Sequence, residues 1–168
     1  MTKCPHRTIL LSLTLALAGC SRCETADDEA AIRALIATAV ERAEAADAKG
    51  VMSVADKETF ELIPQGLAER ETRLRLMLFL RQSGKVAIHY PRPTVNVDRK
   101  TGVHAEVLMP FALLRKGMEL PELTSVIDDP ERWLAEVNRI ADVYRLELWF
   151  IKKGDDWRVR KARIRQNI

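Results

Sequence analysis

The chain is 168 residues long and carries 27 lysine and arginine residues against 24 acidic ones, a formal net charge of +3. This length suffices for one domain that buries roughly two thirds of its unfolded surface, and no second domain fits. The near balance of charge argues against nucleic acid as a partner, because binding to phosphates needs an excess of cations.

The first 19 residues have the layout of a signal peptide. Lys3 and Arg7 precede an apolar and hydroxyl run over residues 8–18. That run is too short for a transmembrane helix, which needs about 20 apolar residues. It ends in Leu17-Ala18-Gly19-Cys20, which resembles the lipobox of bacterial lipoproteins. The resemblance implies that the chain is cut before Cys20 and that the cysteine sulfur carries a lipid.

A lipidated Cys20 predicts a protein anchored in the cell envelope, because two or more acyl chains hold a protein firmly on a membrane. Residues 20–26 are then the lipidated cysteine and a short polar tether. Ser21 resembles the sorting signal for the outer membrane, on its periplasmic face, if the host is Gram-negative. Cys20 and Cys23 also have the spacing of a redox pair, but acylation consumes Cys20. Cys23 is then either a bystander near the membrane, which we favour, or a free thiol able to pair between chains.

Two helices are predicted at the start of the remaining chain, residues 27–168. Thr25 and Asp28 have the spacing of a capping box, and apolar residues then recur at helical spacing over residues 32–43. Gly50 suits a helix stop. A brief second helix is expected over residues 51–55.

A third helix and the first strands come next. The helix is predicted from near Gly66 to Ser83-Gly84, and its later half is apolar nearly all round, so we expect it to be deeply buried. Alternation over residues 86–90 predicts a strand. The prolines of residues 91–93 confine this strand to a sheet edge or a bend, and residues 95–97 resume it.

In the second half of the sequence, apolar and polar residues alternate as in strands, with one predicted helix between them. Residues 103–111 predict a long strand that has Val103 on its apolar face, and Asp129-Pro130 opens an insert helix over residues 130–140. Residues 144–150, a turn at 154–156 and a final strand predict a closing hairpin.

The inward parity of the final strand changes between Val159 and Ala162. One extra residue at Arg160 or Lys161 explains the change, which predicts a β-bulge. The bulge keeps the apolar side chains before and after it on the same face.

This order of elements resembles the nuclear transport factor 2-like superfamily, which includes SnoaL-like and ketosteroid-isomerase-like proteins. The resemblance extends from Asp27 to about Arg165, and the insert helix departs from it. It implies an α+β fold in which N-terminal helices pack on a curved antiparallel sheet to form a cone-shaped roll. Such folds host enzymes, binding modules and oligomerisation domains alike.

The inward faces of the predicted strands carry a largely apolar lining. We expect Met109, Phe111 and Leu148 there, with Tyr90 and Tyr144 as the obvious polar groups. Such a lining predicts an apolar small molecule as ligand. The leading hypothesis is therefore a non-catalytic envelope lipoprotein that binds an apolar small molecule or a protein partner.

An isomerase or dehydratase of the same fold is the alternative. Enzymes of this kind place a carboxylate or histidine inside the cone, with hydrogen-bond donors for an enolate. Tyr90 and Tyr144 would be the donors here, and an acid between Asp56 and Glu61 the base. The spacing pairs no base with a donor, so no catalytic residue is assigned.

A third hypothesis is a structural or assembly role through a basic edge. The final strand carries Arg158, Arg160 and Arg163, which suit anionic lipid or an envelope polymer, although an ordinary solvated strand explains the same run. Trp149 and Ile151 have outward parity, and an exposed patch of this kind predicts a homodimer through the sheet.

No metal or cofactor is predicted. His89 and His104 fall on strands that we expect to be neighbours, but no carboxylate or thiolate accompanies them as a third ligand. The sequence also lacks a phosphate-binding loop and a nucleophile elbow.

Overall fold

A computed structural model describes residues 20–84, 86–115, 129–138, 141 and 143–166. The helices and strands in these residues are α1 (Cys20–Glu44), α2 (Ala48–Met52), β1 (Glu61–Ile63), α3 (Glu69–Ser83), β2 (Val86–His89), β3 (Thr94–Val97), β4 (His104–Arg115), α4 (Pro130–Val137), β5 (Val143–Lys153) and β6 (Asp156–Gln166). Helices come first and the long strands last, which confirms the α+β class.

The strands form one sheet in the order β1-β6-β5-β4-β2, with β3 also paired to β4. β2 lies at an edge of this sheet, as the prolines that follow it predict. The strands that the sequence predicts pair antiparallel, but β1 runs parallel to β6, with Leu62 opposite Ala162, so the sheet is mixed. The sequence did not reveal β1, because three residues are too few for an alternating pattern.

The closing hairpin of β5 and β6 is confirmed, and so is its bulge. Phe150 lies opposite Val159, whereas the preceding Trp149 lies opposite Lys161, so Arg160 is the extra residue on β6. Gly154 in the connecting turn has φ +62°, a conformation that glycine adopts without strain.

The start of α1 differs from the prediction. The described part of α1 already includes Cys20, so Thr25 and Asp28 lie within a helix and form no N-cap there. The role of residues 20–26 as a tether stays a prediction. The segment contains neither glycine nor proline, so nothing in it stops a helix. The lipidation of Cys20 stays a prediction.

Gly50 lies inside α2 and does not end a helix. The Oδ1 atom of Asp47 caps α2 by accepting from the backbone N–H of Gly50 at 2.8 Å. A Cβ at residue 50 would collide with that same carboxylate. A larger residue at position 50 would therefore displace the capping side chain of Asp47.

α3 is much less buried than its composition predicts. It begins at Glu69, and Leu74 and Leu78 are 49% and 54% exposed, while Leu80 is buried. Its neighbours are α2 and β1, so elements pack on one side of the helix. The prediction of a deeply buried later half is wrong because nothing described covers the opposite side.

The main core lies between the helices and the inner face of the sheet. The inward parity of β4 is confirmed from Ala105 to Phe111, but Val103 lies immediately before the strand and is 40% exposed. A second cluster lies on the outer face of the sheet, where Trp133 and Val137 of α4 pack against Ala112 and Val143. The insert helix therefore covers one end of the outer face.

Candidate functional site

The helices and the inner face of the sheet enclose a half-open cavity of about 450 Å³. Such a volume falls within the range of small-molecule sites, roughly 300–1,000 Å³. Leu35 and Ala39 line it from α1, Leu76 and Phe79 from α3, and Leu146 from β5; further lining residues come from α2 and from β2, β4 and β6.

The lining is almost wholly apolar. The residues that the structure places around this cavity include no acid, histidine, lysine or cysteine, and their polar members are Thr72, Arg75 and Tyr144. A general base must lie within hydrogen-bond reach of the proton that it removes. The described lining supplies no such group.

The exposure of the lining residues locates the mouth of the cavity. Phe79 and Ile164 are 44% and 51% exposed, whereas Met109 and Phe150 are almost fully buried. The mouth therefore lies between α3 and the C-terminal end of β6. Arg75 and Thr72, about one and two turns before Phe79 on α3, lie on the same wall.

Four of the five ligand-contacting residues expected from the sequence line this cavity: Met109, Phe111, Tyr144 and Leu148. The rings of Phe111 and Tyr144 stack with their centroids 5.5 Å apart. Their parity along β4 and β5 brings them together, since Phe111 and Tyr144 are register partners. Their contact with a ligand stays a prediction.

Tyr90, the fifth residue, packs against the core cluster but is not among the lining residues. Burial raises the pKa of its hydroxyl above the usual range, and the carboxylates of Glu41 and Glu44 raise it further. Tyr90 therefore stays protonated, but it does not face the cavity beside Tyr144.

The acids considered as a base are engaged elsewhere. The Oδ2 atom of Asp56 lies 2.6 Å from the Nζ atom of Lys153, and its Oδ1 atom accepts from the backbone N–H of Glu58 at 3.0 Å. The Lys153 ammonium group lowers the pKa of Asp56 more than its burial raises it. Glu61 lies 3.5 Å from Lys161. The structure does not bring these acids to Tyr90 and Tyr144.

Asp28 is a buried acid and not part of the helix cap that its spacing from Thr25 predicts. Its Oδ1 atom accepts from the Nζ atom of Lys152 at 2.7 Å and from the indole N–H of Trp157 at 2.9 Å. Burial raises its pKa, but these two hydrogen bonds and the Lys152 charge outweigh that effect, so the pKa lies below its usual value. A signal was present, because Asp28 precedes Ile32 by four residues on the inward stripe of α1.

The basic run of β6 is largely paired within the chain. Arg163 lies 3.1 Å from Glu147, and Arg158 lies 3.2 Å from Asp156 and donates to the backbone oxygen of Ser53 at 3.0 Å. Arg160 is exposed. Binding of an anion by Arg158, Arg160 and Arg163 stays a prediction, and it would compete with these contacts.

Trp149 is half-buried on the outer face. Its indole N–H donates to Glu106 at 3.2 Å, and the Arg163 guanidinium lies over its ring at 5.5 Å. Polar side chains therefore cover part of the expected dimer patch, while α4 occupies the other end of the face. Dimerisation through the sheet remains a prediction.

His89 and His104 do not meet. His89 on β2 lies opposite Ala112 of β4. His104 is the first residue of β4 and precedes Ala112 by eight residues along that strand. Eight residues of strand separate them by roughly 26 Å. Within the described residues, no three potential ligands are close enough to hold a metal ion, and no helix is long and apolar enough to cross a membrane.

Comparison of the structure with solved structures identifies the fold. The hexachlorocyclohexane dehydrochlorinase LinA-type3 from Novosphingobium barchaimii LL02 superposes with a TM-score of 0.62 at 10% identity, over 88% of this chain and 91% of that one. An NTF2-like protein with a cystatin-like fold from Novosphingobium aromaticivorans gives 0.59 at 16% identity, over 86% and 84%. A protein from the same species, proposed to be a scytalone dehydratase, gives 0.61 at 9% identity, over 88% and 89%.

The chain therefore has the NTF2-like fold, a cone of helices on a curved sheet. At these identities the likeness concerns the fold alone, and the chemistry of the neighbours does not transfer with it. No protein-family model matches the chain, and no curated protein matches it.

Proposed function

We propose that this protein is an envelope lipoprotein whose cone binds one small apolar molecule without transforming it. The observation that carries the proposal is the cavity of about 450 Å³ with an almost wholly apolar lining. A half-open cavity of this kind gains free energy by removing an apolar ligand from water, about 25 cal/mol for each Å² buried.

The arrangement of the acids favours binding over catalysis. Asp28 and Asp56, the two buried carboxylates among the described residues, are held by Lys152 and Lys153 and do not line the cavity. Tyr144 is the one tyrosine of its described lining. A tyrosine without a base orients a ligand through a hydrogen bond but does not complete proton abstraction.

A blocked cavity tests ligand binding. In Ala39→Phe a ring replaces a methyl group on the cavity wall, whereas Ala34→Phe adds the same ring at an exposed position of α1. We expect a fluorescent apolar probe to bind wild type and Ala34→Phe alike and to bind Ala39→Phe at least ten-fold more weakly. Equal binding by all three proteins would place the probe elsewhere and refute the proposed site.

The anchor is tested by replacing its sulfur. In wild type we expect intact-mass analysis to find an acylated Cys20 at the mature N-terminus and fractionation to find the protein with membranes, the outer membrane in a Gram-negative host. Cys20→Ala removes the sulfur that accepts the lipid, so the mass of the acylated mature protein should be absent. A soluble, uncleaved wild type would contradict the envelope proposal while leaving the cavity proposal intact.

A dehydratase or isomerase is the second candidate. It is supported by fold neighbours such as the dehydrochlorinase and by Tyr144 on the cavity wall. If the chain turns over a cyclic substrate, Tyr144→Phe should lower kcat with little change in the free energy of unfolding, because only the hydroxyl is removed. A turnover that survives Tyr144→Phe would exclude Tyr144 as the donor.

A further inference from the structure

α3 presents an exposed surface that is apolar and basic at once. Leu74, Leu78 and Phe79 are 49%, 54% and 44% exposed. Arg70, Arg75 and Arg81 are exposed on the same helix. We call these six residues the α3 patch.

The arginines of the α3 patch are free to meet an external partner. In the part of the chain that the structure describes, none of the three has an ion pair, whereas Arg73 lies 3.7 Å from Glu69. The acids of the first turn are also occupied, since Glu71 accepts from the backbone N–H of Ala68 at 3.2 Å. The patch therefore offers unpaired cations around exposed leucine and phenylalanine side chains.

We propose that the α3 patch docks on an anionic membrane surface, with its apolar side chains in the acyl boundary and its arginines among the headgroups. A helix face of this composition sinks about 5–10 Å into such a boundary. Each arginine near the surface contributes about a five-fold preference for the docked state.

A second copy of the chain fits the patch less well. In a two-fold dimer the same patch lies on both sides of the interface, so the unpaired arginines of two copies would face one another. Like charges brought together in this way oppose association. An anionic membrane satisfies the cations and the apolar side chains together.

The position of the patch connects it to the cavity. Phe79 and Arg75 belong both to the patch and to the cavity lining, and Phe79 is 44% exposed at the mouth. Docking therefore brings the mouth next to the lipid, where an apolar ligand is most concentrated. The docking itself does not depend on what the cavity holds.

Quenching by brominated lipids tests the docking on the full chain. Leu78→Trp places a reporter in the patch, and Val103→Trp places a matched reporter at a 40% exposed position immediately before β4. In vesicles of brominated phosphatidylcholine and phosphatidylglycerol in equal parts, we expect extra quenching over wild type in Leu78→Trp and none in Val103→Trp. High salt or neutral vesicles should remove it.

Two matched charge removals locate the cations. In the Leu78→Trp background, replacing Arg70, Arg75 and Arg81 with Gln should shift the docking equilibrium about a hundred-fold and abolish the extra quenching. Replacing Arg158, Arg160 and Arg163 with Gln removes the same charge from β6 and should leave the quenching unchanged.

Three results would overturn the docking. The first is no extra quenching in Leu78→Trp, and the second is quenching that β6 neutralisation alone abolishes, which would assign the membrane contact to that strand. The third is an emission shift in Leu78→Trp that depends on protein concentration without lipid, which would assign the patch to a second copy. A membrane pellet held only by the N-terminus gives none of the local quenching.

Discussion

At the scale of single residues, Asp28 ties the first helix to the closing hairpin. Its carboxylate joins Lys152 at the end of β5 and Trp157 at the start of β6, and the Nζ atom of Lys152 lies 5.7 Å from the centroid of the Trp157 ring. A buried charge is tolerated when it is paired and hydrogen-bonded. The arrangement gives Asp28 a structural role at a distance from the apolar cavity.

Replacing Asp28 should change how stability depends on pH. The pKa of Asp28 is lowered in the folded state, so its contribution is present above the unfolded value of about 3.9 and is lost as the pH falls towards the folded value. Asp28→Asn should lower the free energy of unfolding at pH 7 by about 2 kcal/mol, because hydrogen bonds to a charged acceptor are lost. The deficit should shrink as the pH falls below about 4.

Chemical denaturation of wild type and variant between pH 3 and pH 7 measures this deficit. Asp27→Asn, at the exposed neighbouring position, is the control and should stay within about 0.5 kcal/mol of wild type. A deficit for Asp28→Asn that is constant over this range would contradict a role for the Asp28 charge.

At the scale of elements, the β-bulge at Arg160 decides which side chains of β6 face the cavity. Val159 and Ala162 both line it, although they are three residues apart and would point to opposite faces of a regular strand. The extra residue restores the inward parity beyond Val159. Without it, either Val159 or the Ala162–Ile164 segment would turn outward.

Deleting Arg160 should therefore be far more damaging than removing its side chain. We expect the deletion to lower the free energy of unfolding by more than about 4 kcal/mol or to prevent folding, because a one-residue slip exchanges the two faces of the strand. Arg160→Ala keeps the backbone and should cost no more than about 0.5 kcal/mol. Equal stabilities in denaturant titrations would show that the sheet does not need the bulge.

At the scale of the whole molecule, the cavity couples the free energy of unfolding to ligand binding. The cavity is lined by α1, α2 and α3 on one side and by the inner face of the sheet on the other. A ligand that binds the folded state alone shifts the folding equilibrium towards it, by about 2.7 kcal/mol at a hundred times the dissociation constant.

An apolar ligand should accordingly raise the thermal unfolding midpoint. For a domain of this size we expect a rise of about 5–10 °C at a hundred times the dissociation constant. Scanning calorimetry at increasing ligand concentration measures it, with Ala39→Phe as the blocked variant that should show no rise and Ala34→Phe as the control that should. A rise in all three would indicate binding outside the cavity.

The sequence by itself determined the order and type of the main elements and the inward parity of the long strands. Alternation along residues 105–111 and 144–150 records which side chains meet the core, and the bulge at Arg160 follows from the same pattern. The strand β1 is too short to show alternation, so the sequence did not predict it. The cap that Asp47 forms on α2 was not predicted either, so the sequence indicated a helix stop at Gly50.

Only the tertiary structure decided which surfaces stay open. The sequence of α3 predicted burial because apolar residues surround it, yet burial depends on whether another element covers each face, and none of those described covers Leu74 and Leu78. In the same way, the local sequence predicts that Asp28 belongs to a helix cap, whereas in the folded chain β5 and β6 bring Lys152 and Trp157 to its carboxylate. Contacts between residues more than a hundred positions apart leave no local pattern, because they form only when the sheet closes over the helices.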